Sequence, residues 1–310
     1  MRTGSKPLPP TQTLPQRAWA NPYLLLALTM LMWSGNAVAS RLAVGNISPM
    51  TMTALRWGGV CLVLPLLLRG QIAEHAPSLR RRWCYIALMG VCGFTMFNAF
   101  LYLAGYSTTA INIGILQGSI PIFVLIGAFL AFRTPIAPLQ ALGVAVTMVG
   151  IAVTASRGDI HVLAGLSFAT GDVYIILASI LYAGYTVAIR KRPAIPALVF
   201  FTAAAFAAFV GSLPLLAIEI ATGNAFWPTP KGLLVLVFVV LGPSMVAQLS
   251  FLRAVELIGP GRAGVFANLV PVFTPIMAVL IIGEQLALYH GVALLLVLGG
   301  IFIAERLGRR

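Results

Sequence analysis

Charge is the scarcest property of this sequence. Only 9% of its 310 residues are Asp, Glu, Lys or Arg, and only seven are acidic, where an ordinary globular domain carries ~25% charged residues. So few ionisable groups cannot cover a water-facing surface without large apolar patches. That excludes a soluble enzyme, a soluble nucleic-acid binder and a disordered chain. Three cysteines, none in a paired motif, offer neither a disulfide framework nor a metal site. His75, His161 and His290 are scattered. No Walker A run is present, so this chain alone does not pump with ATP. One run, Gly259 to Gly264, has the form G-x-G-x-x-G, but it joins two apolar segments instead of following a strand, so it is not a dinucleotide site. The expectation is a protein without cofactor, metal, ATP or nucleic acid, whose partners are a lipid bilayer and a small molecule.

What is abundant is apolar sequence, 60% of the chain, at a mean hydropathy of +0.98. Residues 1–20 are polar and proline-bearing and read as a cytoplasmic tail, as do residues 305–310. A spanning helix needs ~20 apolar residues, and the breaks divide the intervening chain into ten: Tyr23 to Ala43, Thr51 to Leu68, Trp83 to Tyr102, Thr108 to Phe132, Pro138 to Ala155, Asp172 to Ile189, Ile195 to Ala221, Gly232 to Leu257, Gly264 to Ile282 and Tyr289 to Ala304. With ten spans, 15 of the 20 Lys and Arg fall on one side of the membrane, among them Arg69, Arg80 to Arg82, Arg133, Arg190 to Arg192 and Arg262. Cytoplasmic connections carry such an excess, so both termini are expected in the cytoplasm.

The chain also repeats itself. A shift of 150 places Gly114 on Gly264, Pro121 on Pro271, Phe123 on Phe273 and Gly150-Ile151 on Gly300-Ile301; a shift of 149 places Trp33 on Tyr182 and Arg41 on Arg190. Residues 21–155 and 165–304 are thus expected to be two units of five spans. Five is odd, so the second unit enters the membrane from the opposite face. The expected fold is an all-α integral membrane protein of ten transmembrane helices in two inverted five-helix repeats, an architecture of secondary transporters with a site near the midplane.

Polar residues inside spans must face the interior, because an unsatisfied amide in hydrocarbon is costly. Asn98 and Gln248 are repeat mates, and Asn36, Gln117 and Asn268 join them. Each is open to two readings, a hydrogen bond between helices or a contact to a zwitterionic substrate, since a carboxamide both donates and accepts. Trp33 and Tyr182 lie about ten residues inside their spans, too deep for an interfacial belt, and with Tyr185 and Phe94 they outline an aromatic wall; for Phe94 plain packing is the favoured explanation. Pro121, Pro243 and Pro271 free the carbonyls of Gln117, Val239 and Ala267. The prolines are candidate hinges and the carbonyls candidate ammonium ligands, against the alternative of tolerated kinks. Arg56 lies about five residues inside its span, where it either snorkels or meets a substrate carboxylate; Arg253 is expected to pair with Glu256. No carboxylate sits at mid-span, which favours facilitated movement, or coupling by a group near the rim, over a buried proton relay.

Trp33-Ser34-Gly35-Asn36, Leu55-Arg56-Trp57, Ser119-Ile120-Pro121-Ile122-Phe123, Gly171-Asp172, Tyr182-Ala183-Gly184-Tyr185, and Val270-Pro271-Val272-Phe273 followed by Gly283-Glu284-Gln285-Leu286 resemble the EamA-type drug/metabolite transporter superfamily over residues 22 to 305. Within it the chain looks most like the YddG-type amino-acid exporters of bacterial inner membranes. The resemblance implies a ten-helix bundle, a central cavity lined by spans 1, 3, 4, 6, 8 and 9, and export of amino acids including aromatic ones. Where the family has an acid after the fourth span this chain has Arg133-Thr134, while Glu284 is kept in the second half. The rival readings are an exporter of drugs or small cationic metabolites, which would want an intramembrane acid, and a structural membrane subunit, which would not need amides at mid-span in both halves.

Overall fold

The computed structural model describes residues 19–159, 161–162 and 168–304. Among them every regular element is helical. Ten helices follow in order: α1 (Pro22–Ala43), α2 (Pro49–Arg81), α3 (Trp83–Ala104), α4 (Ala110–Phe132), α5 (Pro138–Ala155), α6 (Thr170–Lys191), α7 (Ala197–Ala221), α8 (Pro230–Ile258), α9 (Arg262–Ile282) and α10 (Leu288–Phe302). The first nine are long and apolar enough to cross a membrane, and α10 is a shorter apolar helix. Each overlaps an expected span. The start of α1, the end of α10 and the α2–α3, α4–α5, α6–α7 and α8–α9 connections share one end of the bundle, the basic end; the other connections form the far end.

The largest departure is α2. The expected break after Leu68 is absent and the helix runs on to Arg81, straight through Gly70 and Pro77. Its 33 residues extend about 50 Å at 1.5 Å per residue, well beyond a ~30 Å hydrocarbon core. The overrun carries Arg69, Arg80 and Arg81 out at the basic end.

The inverted repeat is visible in irregularities. Helix α3 widens into a π turn at Val91–Met96 and α8 into another at Val240–Val246, matching under the 150 shift. Their local causes differ. In α8, Pro243 lacks the N–H that would bond Val239, and the Ser244 hydroxyl donates to that carbonyl instead, at 2.8 Å. In α3 the mate of Pro243 is Gly93, whose bare backbone lies against the Tyr185 ring; a Cβ there would come within 2.5 Å of it. Helices α4 and α9 are both interrupted ahead of their prolines, α4 at Gly118-Ser119 and α9 by a 3₁₀ turn at Phe266–Leu269. After both, the chain turns through a left-handed residue, Arg133 (φ 53°) and Gly283 (φ 68°). The next helix is then capped alike: Gln140 Oε1 accepts from the Ala137 N–H at 3.0 Å and His290 Nδ1 from the Ala287 N–H at 2.9 Å.

Helix α2 packs on α7, α1 on α8 and α9, and α6 on α3 and α4. The small-residue faces of α5 and α10 pack on each other: a Cβ on Gly143 would meet the Gly300 carbonyl at 2.5 Å, the close backbone approach that small residues permit in membranes.

Candidate functional site

One cavity of about 150 Å³ lies at mid-bundle where the irregular segments of both repeats meet. Of the expected residues, Trp33, Asn36, Arg56, Phe94, Asn98, Gln117, Pro121, Tyr182, Pro243, Gln248 and Asn268 line it. Two do not. Tyr185 stands behind the wall, against Phe94 (ring centroids 5.2 Å) and Tyr182 (5.6 Å). Pro271 packs beside Gly118, next to the break in α4.

Arg56 organises the cavity. It sits on the eighth residue of α2, about 10 Å along the helix from its start, and is 5% exposed. Snorkelling is therefore corrected: the side chain turns inward. Its Nε donates to Ser244 Oγ at 2.8 Å, and its Nη1 faces Asn98 Oδ1 (2.6 Å), Tyr102 Oη (2.8 Å) and Asn36 Oδ1 (3.1 Å). The guanidinium also lies 5.2 Å from the Trp57 ring centre. Every hydrogen-bond acceptor is neutral. The ion pairs among the described residues are Arg41 with Glu284 and Arg253 with Glu256, so a full positive charge faces the cavity without a counter-ion.

The amides divide into two kinds. Asn36 and Asn98 are tied to Arg56, and the Asn98 amide also donates to the Phe94 carbonyl at 2.6 Å, so both are interhelical connectors. Gln117 and Gln248 line the cavity and take no side-chain hydrogen bond among the described residues, leaving donors and acceptors for a ligand. The freed carbonyls are less available than the sequence suggests. That of Val239 accepts from Ser244 and that of Ala267 from the Val270 N–H.

Aromatic rings line the cavity beside these groups. Trp57 stacks on Phe94 at 4.8 Å and 15°, Phe201 meets Phe94 edge-on at 5.6 Å, and Tyr182 lies 5.1 Å from Phe97. Trp33 leans on Phe251 at 5.3 Å. The indole Nε1 of Trp57 is buried without a partner. Trp57, Phe201 and Ser244 are cavity residues that sequence reasoning missed, and they add α2 and α7 to the six helices implied by the resemblance. Trp57 carried a readable signal, since it adjoins Arg56 inside a span.

The cavity is sealed toward the far end. Leu101, Tyr102, Ile113, Leu116 and Met52 are at most 1% exposed there, and Gly114 of α4 is so close to α9 that a Cβ would meet Thr274 Cβ at 2.4 Å. Toward the basic end the packing is loose. In the second half of α4 only Ile122 is buried, and Gly264, repeat mate of Gly114, has nothing within 4 Å of its Cβ position. This conformation is closed at the far end and, around α4, more loosely packed toward the basic end.

Ten apolar helices in two inverted repeats around a central cavity that holds a buried arginine have the architecture of a multi-pass membrane transporter. Residues 20–156 and again 169–305 match the EamA-like transporter family, and the chain belongs to it. It is similar over most of its length to an uncharacterized transporter of Archaeoglobus fulgidus, 25% identical over 285 residues covering 91% of this chain and 96% of the relative. It is likewise similar to the uncharacterized transporter YyaM of Bacillus subtilis, 22% identical over 290 residues, 92% and 93% of the two chains. A solved crystal structure shares the fold, with a TM-score of 0.63 and 20% identity over 93% of this chain and 98% of that one. These relatives are named as transporters, and their names specify no substrate.

Proposed function

We propose that the protein exports amino acids, aromatic ones among them, across a bacterial inner membrane by alternating access, with both termini in the cytoplasm. The observation that carries this reading is the buried Arg56 guanidinium, held by Asn36, Asn98, Tyr102 and Ser244 with no carboxylate of its own. A buried cation left without a counter-ion is strongly disfavoured, and a substrate carboxylate supplies the missing charge. Gln117 and Gln248 offer amide oxygens to the ammonium group, and Trp57, Phe94, Phe97 and Tyr182 accept an apolar or aromatic side chain by stacking and burial. The same charge disfavours the rival reading as an exporter of cationic drugs, because no Asp or Glu is among the residues that line the cavity.

The excess of Lys and Arg at the basic end supports the cytoplasmic placement of the termini, and with it an outward-closed conformation. Competition in proteoliposomes tests the reading. An aromatic amino acid and its analogue lacking only the ammonium group should both displace labelled substrate better than the amine lacking only the carboxylate. Preference for the amine overturns the assignment.

A further inference from the structure

The far end of the bundle holds three buried or half-buried acids, and two of them are fully engaged. Glu219 of α7 caps the start of α2: one oxygen accepts from the Met50 N–H at 2.9 Å, the other from the Thr51 N–H at 3.0 Å and the Ser48 hydroxyl at 2.7 Å. Glu284 caps α4, accepting from the N–H groups of Ala110 (2.9 Å) and Ile111 (3.0 Å), and lies 3.6 Å from Arg41 Nε. Helix N-terminal N–H groups occupy the oxygens of both, and Arg41 adds a cation beside Glu284.

Asp172, in the first turn of α6, is different. It is 0% exposed. Its Oδ1 accepts from the Thr108 hydroxyl and, at 3.4 Å, from the Asn112 amide, while its Oδ2 is buried with no partner. The titratable and charged groups around it are Arg157 of the α5–α6 connection, beyond ion-pair distance, Tyr289 of α10, which also neighbours Glu284, and His290 of α10, linked through Asn112. His290 accepts the Ala287 N–H at Nδ1, so Nε2 carries the proton and donates to Asn112 Oδ1 at 3.2 Å. An ionised carboxylate with one bare oxygen, buried and unpaired, costs far more than the neutral acid.

The position is as informative as the burial. Through Thr108 and Asn112, Asp172 ties α6 to the first turn of α4, and through His290 to α10. The buried run Ala110 to Leu116 of α4 is part of what closes the cavity from the far end. Opening that end requires this half of α4 to leave its neighbours, and leaving them brings water to Asp172.

We propose that Asp172 is a proton-binding latch on the far-end gate: its carboxyl holds a proton while that end is closed and releases it to water on the far side as the gate opens. This rests on the alternating-access reading above but not on the identity of the substrate. Closing takes the proton back, so one proton is exchanged with the far side per gate cycle and a rise in pH there favours opening. The latch is a coupling group near the rim, in a protein whose cavity wall carries no acid.

The test uses Ile113, 0% exposed in the sealing half of α4. In a chain with Cys61, Cys84 and Cys92 replaced by alanine, I113C is labelled with a membrane-impermeant maleimide across a pH series, alone and combined with D172N. Taking the ratio of the two rates cancels the ordinary ionisation of the thiol. The ratio should climb with pH, by up to about tenfold per unit, the limit for linkage to one proton. A ratio constant with pH overturns the latch. Should D172N fail to fold, infrared spectroscopy of the unmodified protein decides: a protonated-carboxyl band at neutral pH, lost as pH is raised, is expected, and its absence at neutral pH overturns the proposal. Neither readout involves a substrate, so failure of the amino-acid reading and failure of the latch are seen separately.

Discussion

Replacing Arg56 with methionine is the perturbation that most directly probes the cavity. In the structure the guanidinium is 5% exposed and bonded to four neutral oxygens. A charge-assisted hydrogen bond to a substrate carboxylate contributes about 1.5–3 kcal/mol, and at about 1.4 kcal/mol per decade its loss weakens binding roughly 10- to 150-fold. The fold should survive. Methionine has a similar length, and although Asn36, Asn98, Tyr102 and Ser244 lose a donor, removing an uncompensated buried charge offsets much of that cost. Thermal unfolding and size-exclusion behaviour of Arg56→Met should therefore resemble the parent. Binding is read by isothermal titration in detergent, with an amino acid and the corresponding amine as paired ligands. The amino acid should lose affinity by the stated factor, while the amine should be unchanged or bind better, no longer repelled by the arginine. Unchanged amino-acid affinity in a folded Arg56→Met protein would show that Arg56 is a structural cation only, and the reasoning would fail.

The two kinds of amide should respond differently. Gln248→Leu or Gln117→Leu should leave stability intact and weaken binding roughly three- to tenfold, the worth of one neutral hydrogen bond; equal losses of stability and binding would contradict the division. Asn98→Leu should instead cost about 1–3 kcal/mol of stability by stripping an acceptor from the buried Arg56, visible as a lower unfolding temperature. Gly264→Val has open space in this conformation, so the variant should fold and bind, but its side chain would obstruct closure at the basic end and exchange should be lost; retained exchange would contradict the predicted reciprocal closure. Arg133 holds a left-handed φ of 53° where its repeat mate is Gly283, so Arg133→Gly should stabilise the protein by about 1 kcal/mol, seen as a higher thermal midpoint with transport unchanged.

Much of the architecture was legible because lipid allows so few solutions. Apolar run length and proline placement located ten helices, and the 150-residue shift paired Pro121 with Pro271 and Asn98 with Gln248. What was not legible depended on three-dimensional neighbours. The α2 overrun to Arg81 carries charged residues past any hydropathy boundary and passes Gly70 and Pro77, where a helix ordinarily breaks. The π turns arise from Pro243 in one repeat and from the packing of Tyr185 on Gly93 in the other, so a single local signal does not announce both. Sequence placed Arg56 near a span end, where snorkelling and inward orientation compete. Only the oxygens of Asn36, Asn98, Tyr102 and Ser244, converging from three other helices, decide between them. Tyr185 illustrates the converse, an aromatic at the right depth that stands one layer behind the wall. Asp172 reads as a span-end acid, like Glu219 and Glu284, and its bare Oδ2 shows only once α4, α6 and α10 are packed together.

Counterflow in proteoliposomes tests the central claim most directly. Vesicles containing the purified protein and loaded with an unlabelled aromatic amino acid should transiently accumulate the labelled compound from outside, with no ATP present, and Arg56→Met vesicles should accumulate far less. If protein-containing vesicles take up no member of an amino-acid panel above protein-free controls, the protein is not an amino-acid transporter and the account of its cavity is wrong.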